Sequence, residues 1–249
     1  EKGEPDKILQ MDNDESHQLI EEFMLLANQT VAKELRRKKI PGIFRVHPEP
    51  DPENLDDLRN FLTIFGISGG ELTSRKEINK MLRAINKHPL AQVLRIKFLR
   101  SMKQACYRHT PDGHYGLAMN DYLHFTSPIR RYADLMVHRA VESDLAGQKP
   151  NRKLEKNLEG LAKHLSITER NSVDAEREST KDKLLLFYKR DIGKQPPVKH
   201  RAIITEIGRR GFFVELPETL ARGFVPIRSL PREVGYRMAS NGAALVGRN

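Results

Sequence analysis

The sequence predicts an α+β chain in two parts: a mainly helical part, residues 1–195, and then the short strands of a small β-barrel, residues 196–249. Apolar residues keep helical spacing over most of the stretch from Leu19 to Tyr188, and Pro196-Pro197 breaks the pattern. Beyond those prolines, Ala202-Ile203-Ile204, Phe212-Phe213-Val214-Glu215-Leu216 and Gly223-Phe224-Val225-Pro226 are short apolar runs separated by turn residues.

The first helix is marked by Leu19, Phe23, Ala27, Val31 and Leu35, one every four positions, with Ile20 and Met24 widening the stripe. It ends in Arg36-Arg37-Lys38-Lys39, cations that suit the negative end of a helix, and Pro41-Gly42 follows. Ile43 to His47 has strand character until Pro48, Pro50 and Pro52 impose a loop. Two shorter helices are expected from about Glu53 to Phe65 and from Ser74 to Ile85, with Ser74-Arg75-Lys76-Glu77 as a capping box for the second. Another starts near Pro89, with Val93, Leu94, Leu99 and Met102 on its apolar side. Residues 114–125 read as short extended pieces. Ser127-Pro128 then opens a helix running to Gly147, and a long charged helix covers Leu154 to Tyr188. In the tail, Asn241-Gly242 is a two-residue hairpin turn.

The chain has a formal net charge of +10, which favours a polyanionic partner because Lys and Arg displace the counterions condensed on phosphates. Cys106 is the one cysteine, so no disulfide forms within the chain, as suits a reducing compartment. No apolar run is long enough to span a bilayer, and the first residues resemble neither a signal nor a transit peptide. A soluble cytoplasmic protein is expected. Glu1 rather than Met stands first, as in a segment taken from inside a longer chain.

The most informative stretch is His114 to Arg139, HYGLAMNDYLHFTSPIRRYADLMVHR. Ser127 suits a helix N-cap and Pro128 the first helical position, which places Arg130 and Arg131 in the first turn. Cations there oppose the helix dipole, while free backbone N–H groups attract an anion, so a phosphate or carboxylate partner is expected. Arg130, Asp134 and His138 follow at four-residue steps on one face. Asp134 is then placed to hold Arg130, either as support for an anion site or as an ordinary salt bridge within the helix.

Tyr122, His124 and the run Phe125 to Tyr132, with His114, Asp134 and His138, resemble the signature of the ribonuclease II and ribonuclease R family. Ile20 to Asn28, Phe44-Arg45-Val46-His47, and Arg100-Ser101-Met102 with Ala105 and Tyr107 resemble further blocks of that family. Gly211 to Leu216 and Gly223 to Leu230 resemble an S1 domain. The resemblance implies the C-terminal, mainly helical part of an RNB catalytic domain followed by an incomplete OB-type S1 barrel. It implies a processive 3′-to-5′ exoribonuclease, monomeric, that hydrolyses single-stranded RNA to nucleoside 5′-monophosphates with Mg2+.

Carried over residue by residue, Arg130 matches the family's catalytic arginine, whose planar fork suits phosphate. Glu22, rather than Glu21, matches the carboxylate near the terminal ribose. Thr126, Ser127 and Tyr132 are candidate phosphate or sugar contacts, with N-capping for Ser127 and core packing for Tyr132 as the plainer roles. His124 and Asn28 are further RNA-binding candidates. Phe213 matches the stacking aromatic of an S1 domain, and at least one of Phe212, Phe213 and Phe224 is expected in the core.

The family's cluster of metal-binding aspartates has no counterpart, since Asp12 and Asp14 fall directly before the Glu22 helix. No metal ligand is assigned, and the Mg2+ ligands are expected upstream, with the cold-shock domains, in a longer parent chain. The main alternative is a non-catalytic RNA-binding protein on a degenerate nuclease scaffold. A metabolic enzyme that binds phosphate leaves the S1-like tail unexplained.

Overall fold

The computed structural model describes residues 3–9, 14–70, 72, 74–148, 152–231, 235–239 and 244–248. In chain order the main elements are α1 (Glu15–Lys38), β1 (Phe44–Val46), α2 (Pro52–Ile64), α3 (Arg75–Lys87), α4 (Ala91–Ser101), β2 (Cys106–Arg108), α5 (Tyr132–Leu145), α6 (Arg152–Lys189), β3 (Ile203–Gly208), β4 (Gly211–Glu215), β5 (Arg222–Pro226), β6 (Gly235–Met238) and β7 (Leu245–Arg248). The class is α+β, as expected. The chain forms two compact units, one of Asp12–Asp51 and Met102–Ala175, the other of Glu1–Met11, Pro52–Ser101 and Glu176–Asn249. They interleave along the sequence, and the boundary expected near residue 195 falls inside the Glu176–Asn249 segment of the second unit.

In the first unit, β1 and β2 form an antiparallel ribbon with Phe44 opposite Arg108, Arg45 opposite Tyr107 and Val46 opposite Cys106. Successive strand residues face opposite ways, so the ribbon serves two cores. Phe44 and Val46 pack with Ala32 and Leu35 of α1, with Leu123 of the segment before α5 and with Val137 of α5. Ile43 and Tyr107 pack with Ala133 and Met136 of α5 and with Leu158, Ala162 and Leu165 of α6. Helix α5 contributes to both clusters.

Helix α1 is capped by Asp14, whose carboxylate accepts from the backbone N–H of His17, and it ends at Lys39 in the left-handed region, φ 55°. Its stripe is buried only toward the C-terminal end, at Ala32 and Leu35, while Leu19 and Phe23 are exposed. A four-residue step overshoots one turn by ~40°, so Leu19 lies ~160° around the helix from Leu35.

Two expected helix starts differ from the structure. Ser74 precedes α3 with extended backbone, but its side chain makes no capping bond. Glu77 instead turns toward Gly70, where a Cβ would come 2.5 Å from Oε2. Helix α5 begins at Tyr132 rather than Pro128, and its N-cap Arg131 is extended at φ −127°, ψ 115°. The Ser127 carbonyl accepts from the N–H groups of Arg130 and Arg131, closing a separate turn before the helix.

In the second unit, α4 packs against α2 and α3. Leu55, Leu58, Leu62, Met81, Ile85, Val93 and Leu94 are buried there. Strands β3, β4 and β5 form an antiparallel sheet in that order, and β6 pairs antiparallel with β7. Among the described residues no strand pairing joins the two sheets into a closed barrel. The expected turn at Asn241-Gly242 lies outside the described residues.

Candidate functional site

The segment from Tyr122 to Arg131 is irregular backbone crossing the first unit, and buried groups hold it at several points. Arg45 N–H of β1 donates to the Tyr122 carbonyl at 3.0 Å. Asn28 of α1 donates through Nδ2 to the Tyr122 hydroxyl at 3.1 Å and accepts through Oδ1 from Phe125 N–H at 2.9 Å. His138 of α5 stacks on the Phe125 ring with centroids 4.1 Å apart, and its Nε2 lies 2.9 Å from the Phe125 carbonyl oxygen. Asp134 Oδ1 accepts from Ser127 N–H and from Arg131 Nη2, each at 2.8 Å.

The last arrangement corrects the expected Arg130–Asp134 pair. Arg130 stands outside α5, so the four-residue helical step that would join it to Asp134 does not exist. Asp134 is fully buried and neutralises Arg131, whose side chain is 20% exposed. Asp134 Oδ2 and Arg131 Nε are buried without partners among the described residues. Beside them Ile129 is fully exposed and Arg130 is exposed, with no ion-pair partner for Arg130 among the described residues. Thus the two adjacent arginines differ: one is committed to the fold and the other is available to an anion.

The remaining candidates fall into distinct settings. Glu22 is exposed on α1 and makes no hydrogen bond or ion pair among the described residues. Asn28 is 3% exposed with both ends of its amide engaged. In this structure its side chain holds the segment from beneath. Thr126 and Ser127 are half-buried. Ser127 holds the turn through its backbone instead of capping α5. Tyr132 is 48% exposed on the first turn of α5 and borders an open cavity of about 770 Å³ that Lys38, Met136 and Arg139 also line. Core packing is therefore not its role.

His124 is half-buried, with its Nδ1 2.9 Å from the Tyr107 hydroxyl. Burial, reinforced by Arg131 and Arg45, pushes its pKa down to about 3. Burial likewise pushes Tyr107 up to about 12 and His114 down to about 4. Arg45, within the family-like block Phe44-Arg45-Val46-His47, and Glu169 join the site without an expected role. The Arg45 guanidinium lies 4.8 Å over the Tyr107 ring and its Nη1 is 2.5 Å from Glu169 Oε2. One signal was present, a cation between two apolar residues in a short strand.

In the second unit, Phe213 is half-exposed on β4 opposite Phe224 of β5, with ring centroids 5.1 Å apart. The Arg222 guanidinium sits 4.2 Å over the Phe213 ring and its Nη2 donates to Glu206 at 2.7 Å. None of the three phenylalanines is fully buried: Phe212 and Phe213 are half-buried and Phe224 is 49% exposed. The expected core phenylalanine is thus absent, because the described strands form an open sheet that covers neither face completely.

Residues 1–147 match the model of the RNB domain, more than half of the chain. The chain belongs to the RNB-domain family. The matched residues include the Tyr122–Arg131 segment, whereas the strands around Phe213 lie beyond them. Ribonuclease R 1 of Lactococcus lactis is 37% identical over 255 aligned residues, covering 99% of this chain and 30% of the relative. Ribonuclease R of Thermotoga maritima is 38% identical, covering 86% of this chain and 31% of the relative. RNase R of Mycoplasma genitalium, solved without RNA and with ribose-methylated single-stranded RNA, superposes with a TM-score of 0.84 at 29% identity over 96% of this chain and 38% of that chain. This RNB-family chain therefore spans about a third of the length of the curated relatives it matches.

Proposed function

We propose that this chain is part of a processive 3′-to-5′ exoribonuclease that shortens single-stranded RNA to nucleoside 5′-monophosphates, and that the strand's backbone meets it at the Tyr122–Arg131 segment. The observation that carries this reading is Arg130, exposed and without an acidic partner among the described residues, beside an Arg131 already neutralised by Asp134. An unpaired guanidinium can present two parallel N–H donors to a phosphate and stabilise charge that grows on its oxygens. Glu22 serves the terminal ribose by accepting a hydrogen bond from its 2′-hydroxyl, a group absent from DNA. Thr126, Ser127, Tyr132 and His124 border the strand, and Phe213 of the S1-like part, residues 196–249, stacks a base.

The reaction class implies Mg2+, but among the described residues no three His, Cys, Asp or Glu side chains gather to hold a metal ion. The ligands are assigned to sequence upstream in the parent enzyme, and this chain's own part is contact with phosphate and ribose. Among the described residues no helix is long and apolar enough to cross a membrane. We take the working state to be a cytoplasmic monomer.

The test is Arg130→Ala in the parent enzyme, assayed with 5′-labelled single-stranded RNA for shortening and for gel shift. Turnover should fall by orders of magnitude while affinity changes little, and an unchanged rate would remove the assignment. The 249-residue chain alone, given the same RNA with Mg2+, should shift without shortening it.

A further inference from the structure

Tyr107 and His124 form a buried polar pair that the proposed contacts of Arg130 and Glu22 do not use. Tyr107 is 5% exposed. Its position on β2 is set by the register with Arg45, whose guanidinium covers the ring and is itself held by Glu169. The His124 ring is clamped edge-on between Tyr107 and Tyr122, with centroids 5.7 and 5.8 Å away and interplanar angles of 76° and 80°. Both side chains are therefore fixed in direction as well as in place.

The proton in the 2.9 Å contact between the Tyr107 hydroxyl and His124 Nδ1 can be assigned by elimination. A neutral imidazole carries one N–H, and the phenol carries one O–H that needs an acceptor. His124 Nδ1 is the one partner of that hydroxyl among the described residues. Were Nδ1 to donate instead, the buried O–H would be left without an acceptor, an unfavourable state for a desolvated donor. The hydroxyl therefore donates to Nδ1, and the imidazole proton resides on Nε2, which has no partner among the described residues. Burial keeps both groups uncharged around neutral pH, with the histidine at about 3 and the tyrosine at about 12.

We propose that Tyr107 is a positioning residue that fixes the tautomer of His124, making its Nε2–H an uncharged hydrogen-bond donor to a backbone phosphate oxygen of bound RNA. This rests on the Tyr122–Arg131 segment being an RNA site. An anionic acceptor is favoured over a neutral one because Arg130, exposed and without an ion-pair partner among the described residues, acts electrostatically on His124, while Arg131 and Arg45 are paired with Asp134 and Glu169. His114 also faces it and is neutral, with its pKa lowered to about 4. The consequence is a phosphate contact whose strength does not change with pH across the neutral range, unlike that of a histidine near its ordinary pKa.

The experiment is ring-nitrogen NMR of histidines in the full 249-residue chain near neutral pH, alone and titrated with a short single-stranded oligoadenylate RNA. Wild type should show His124 with an unprotonated Nδ1 and a protonated Nε2, and RNA should shift the Nε2–H signal. Tyr107→Phe should mix the tautomers and weaken RNA binding about tenfold. His124→Gln, whose amide N–H can take the place of Nε2–H, should bind within a few-fold of wild type, whereas the shorter His124→Asn should lose as much as Tyr107→Phe. The two His124 variants and the wild-type spectrum decide the matter even if Tyr107→Phe fails to fold. A protonated Nδ1, or an Nε2–H unmoved by RNA that shifts Arg130 and its neighbours, overturns the inference and leaves the RNA site standing. An RNA that shifts nothing in the segment overturns the site and the donor together.

Discussion

Removing the Asp134 carboxylate should destabilise the first unit more than any other single substitution in the Tyr122–Arg131 region. Asp134 is fully buried and holds two donors, Ser127 N–H and Arg131 Nη2, each at 2.8 Å. Asp134→Ala leaves a mostly buried guanidinium uncompensated, a change that costs about 3–5 kcal/mol when a buried pair is broken from one side. The unbonded Ser127 N–H adds about 1–3 kcal/mol where water cannot reach it. Since a native domain has only about 5–15 kcal/mol to lose, Asp134→Ala should shift the unfolding midpoint far or prevent folding. Asp134→Asn keeps an amide oxygen for Ser127 and removes only the charge, so it should cost about half as much. The assay is urea unfolding followed by circular dichroism for wild type and both variants. Alanine and asparagine variants each within about 1 kcal/mol of wild type would refute the idea that this pair anchors the turn.

Stability should also fall on mild acidification. His124 has a folded pKa of about 3 against an ordinary 6.5, so between these values the unfolded chain binds more protons. Stability is then lost as pH falls, by about 2 kcal/mol between pH 7 and pH 5 from this group. His114 acts in the same direction, and urea midpoints at the two pH values, with His124→Phe as control, measure the effect. The carboxylates held low, Asp14 and Glu34 at about 2, lose their contribution only in more acid solution and leave this window to the histidines. Phe213→Ala should weaken single-stranded RNA binding by about 1–3 kcal/mol in fluorescence anisotropy, since base stacking on an aromatic has that worth. An unchanged affinity would leave Phe213 as packing for Arg222. Glu22→Ala should narrow the preference for RNA over DNA of the same sequence in the parent enzyme, and intact discrimination would assign the ribose contact elsewhere.

Long periodic elements were legible in the sequence because their signal is repeated many times. The long charged helix was expected over Leu154 to Tyr188 and runs over Arg152–Lys189. Misplaced boundaries have tertiary causes. Thr126-Ser127-Pro128 has the local chemistry of a helix start, yet Asp134, seven positions on, captures Ser127 N–H and delays α5 to Tyr132. The Ser74 capping box is lost because Gly70 leaves room for the Glu77 carboxylate. Strand β2 was missed because Cys106–Arg108 is too short to show alternation. At the site, Arg130 was legible as a motif residue, but its difference from Arg131 was not. That difference depends on which guanidinium meets Asp134. The pairing of Tyr107 with His124 joins residues 17 positions apart, and no periodic pattern reports it.

The way the segment is held bears directly on what Arg130 can do. An arginine on a mobile loop loses both loop and side-chain entropy when it orders on a phosphate, and side-chain ordering alone costs about 0.5–1.5 kcal/mol. Here the loop part of that loss is met by folding: Asn28 holds Phe125, Asp134 holds Ser127, and the Ser127 carbonyl holds the backbone of Arg130 itself. Only the side chain of Arg130 remains to be ordered by a ligand. A donor fixed in this way favours one position of the phosphate over its neighbours, which is what the proposed attack on a single terminal linkage would require. Loosening the turn should therefore act on turnover more than on affinity. Asp134→Asn, which keeps the Ser127 bond but weakens the hold on Arg131 beside Arg130, should in the parent enzyme lower kcat several-fold with KM nearly unchanged, whereas loss of a simple electrostatic contact would raise KM and leave kcat alone.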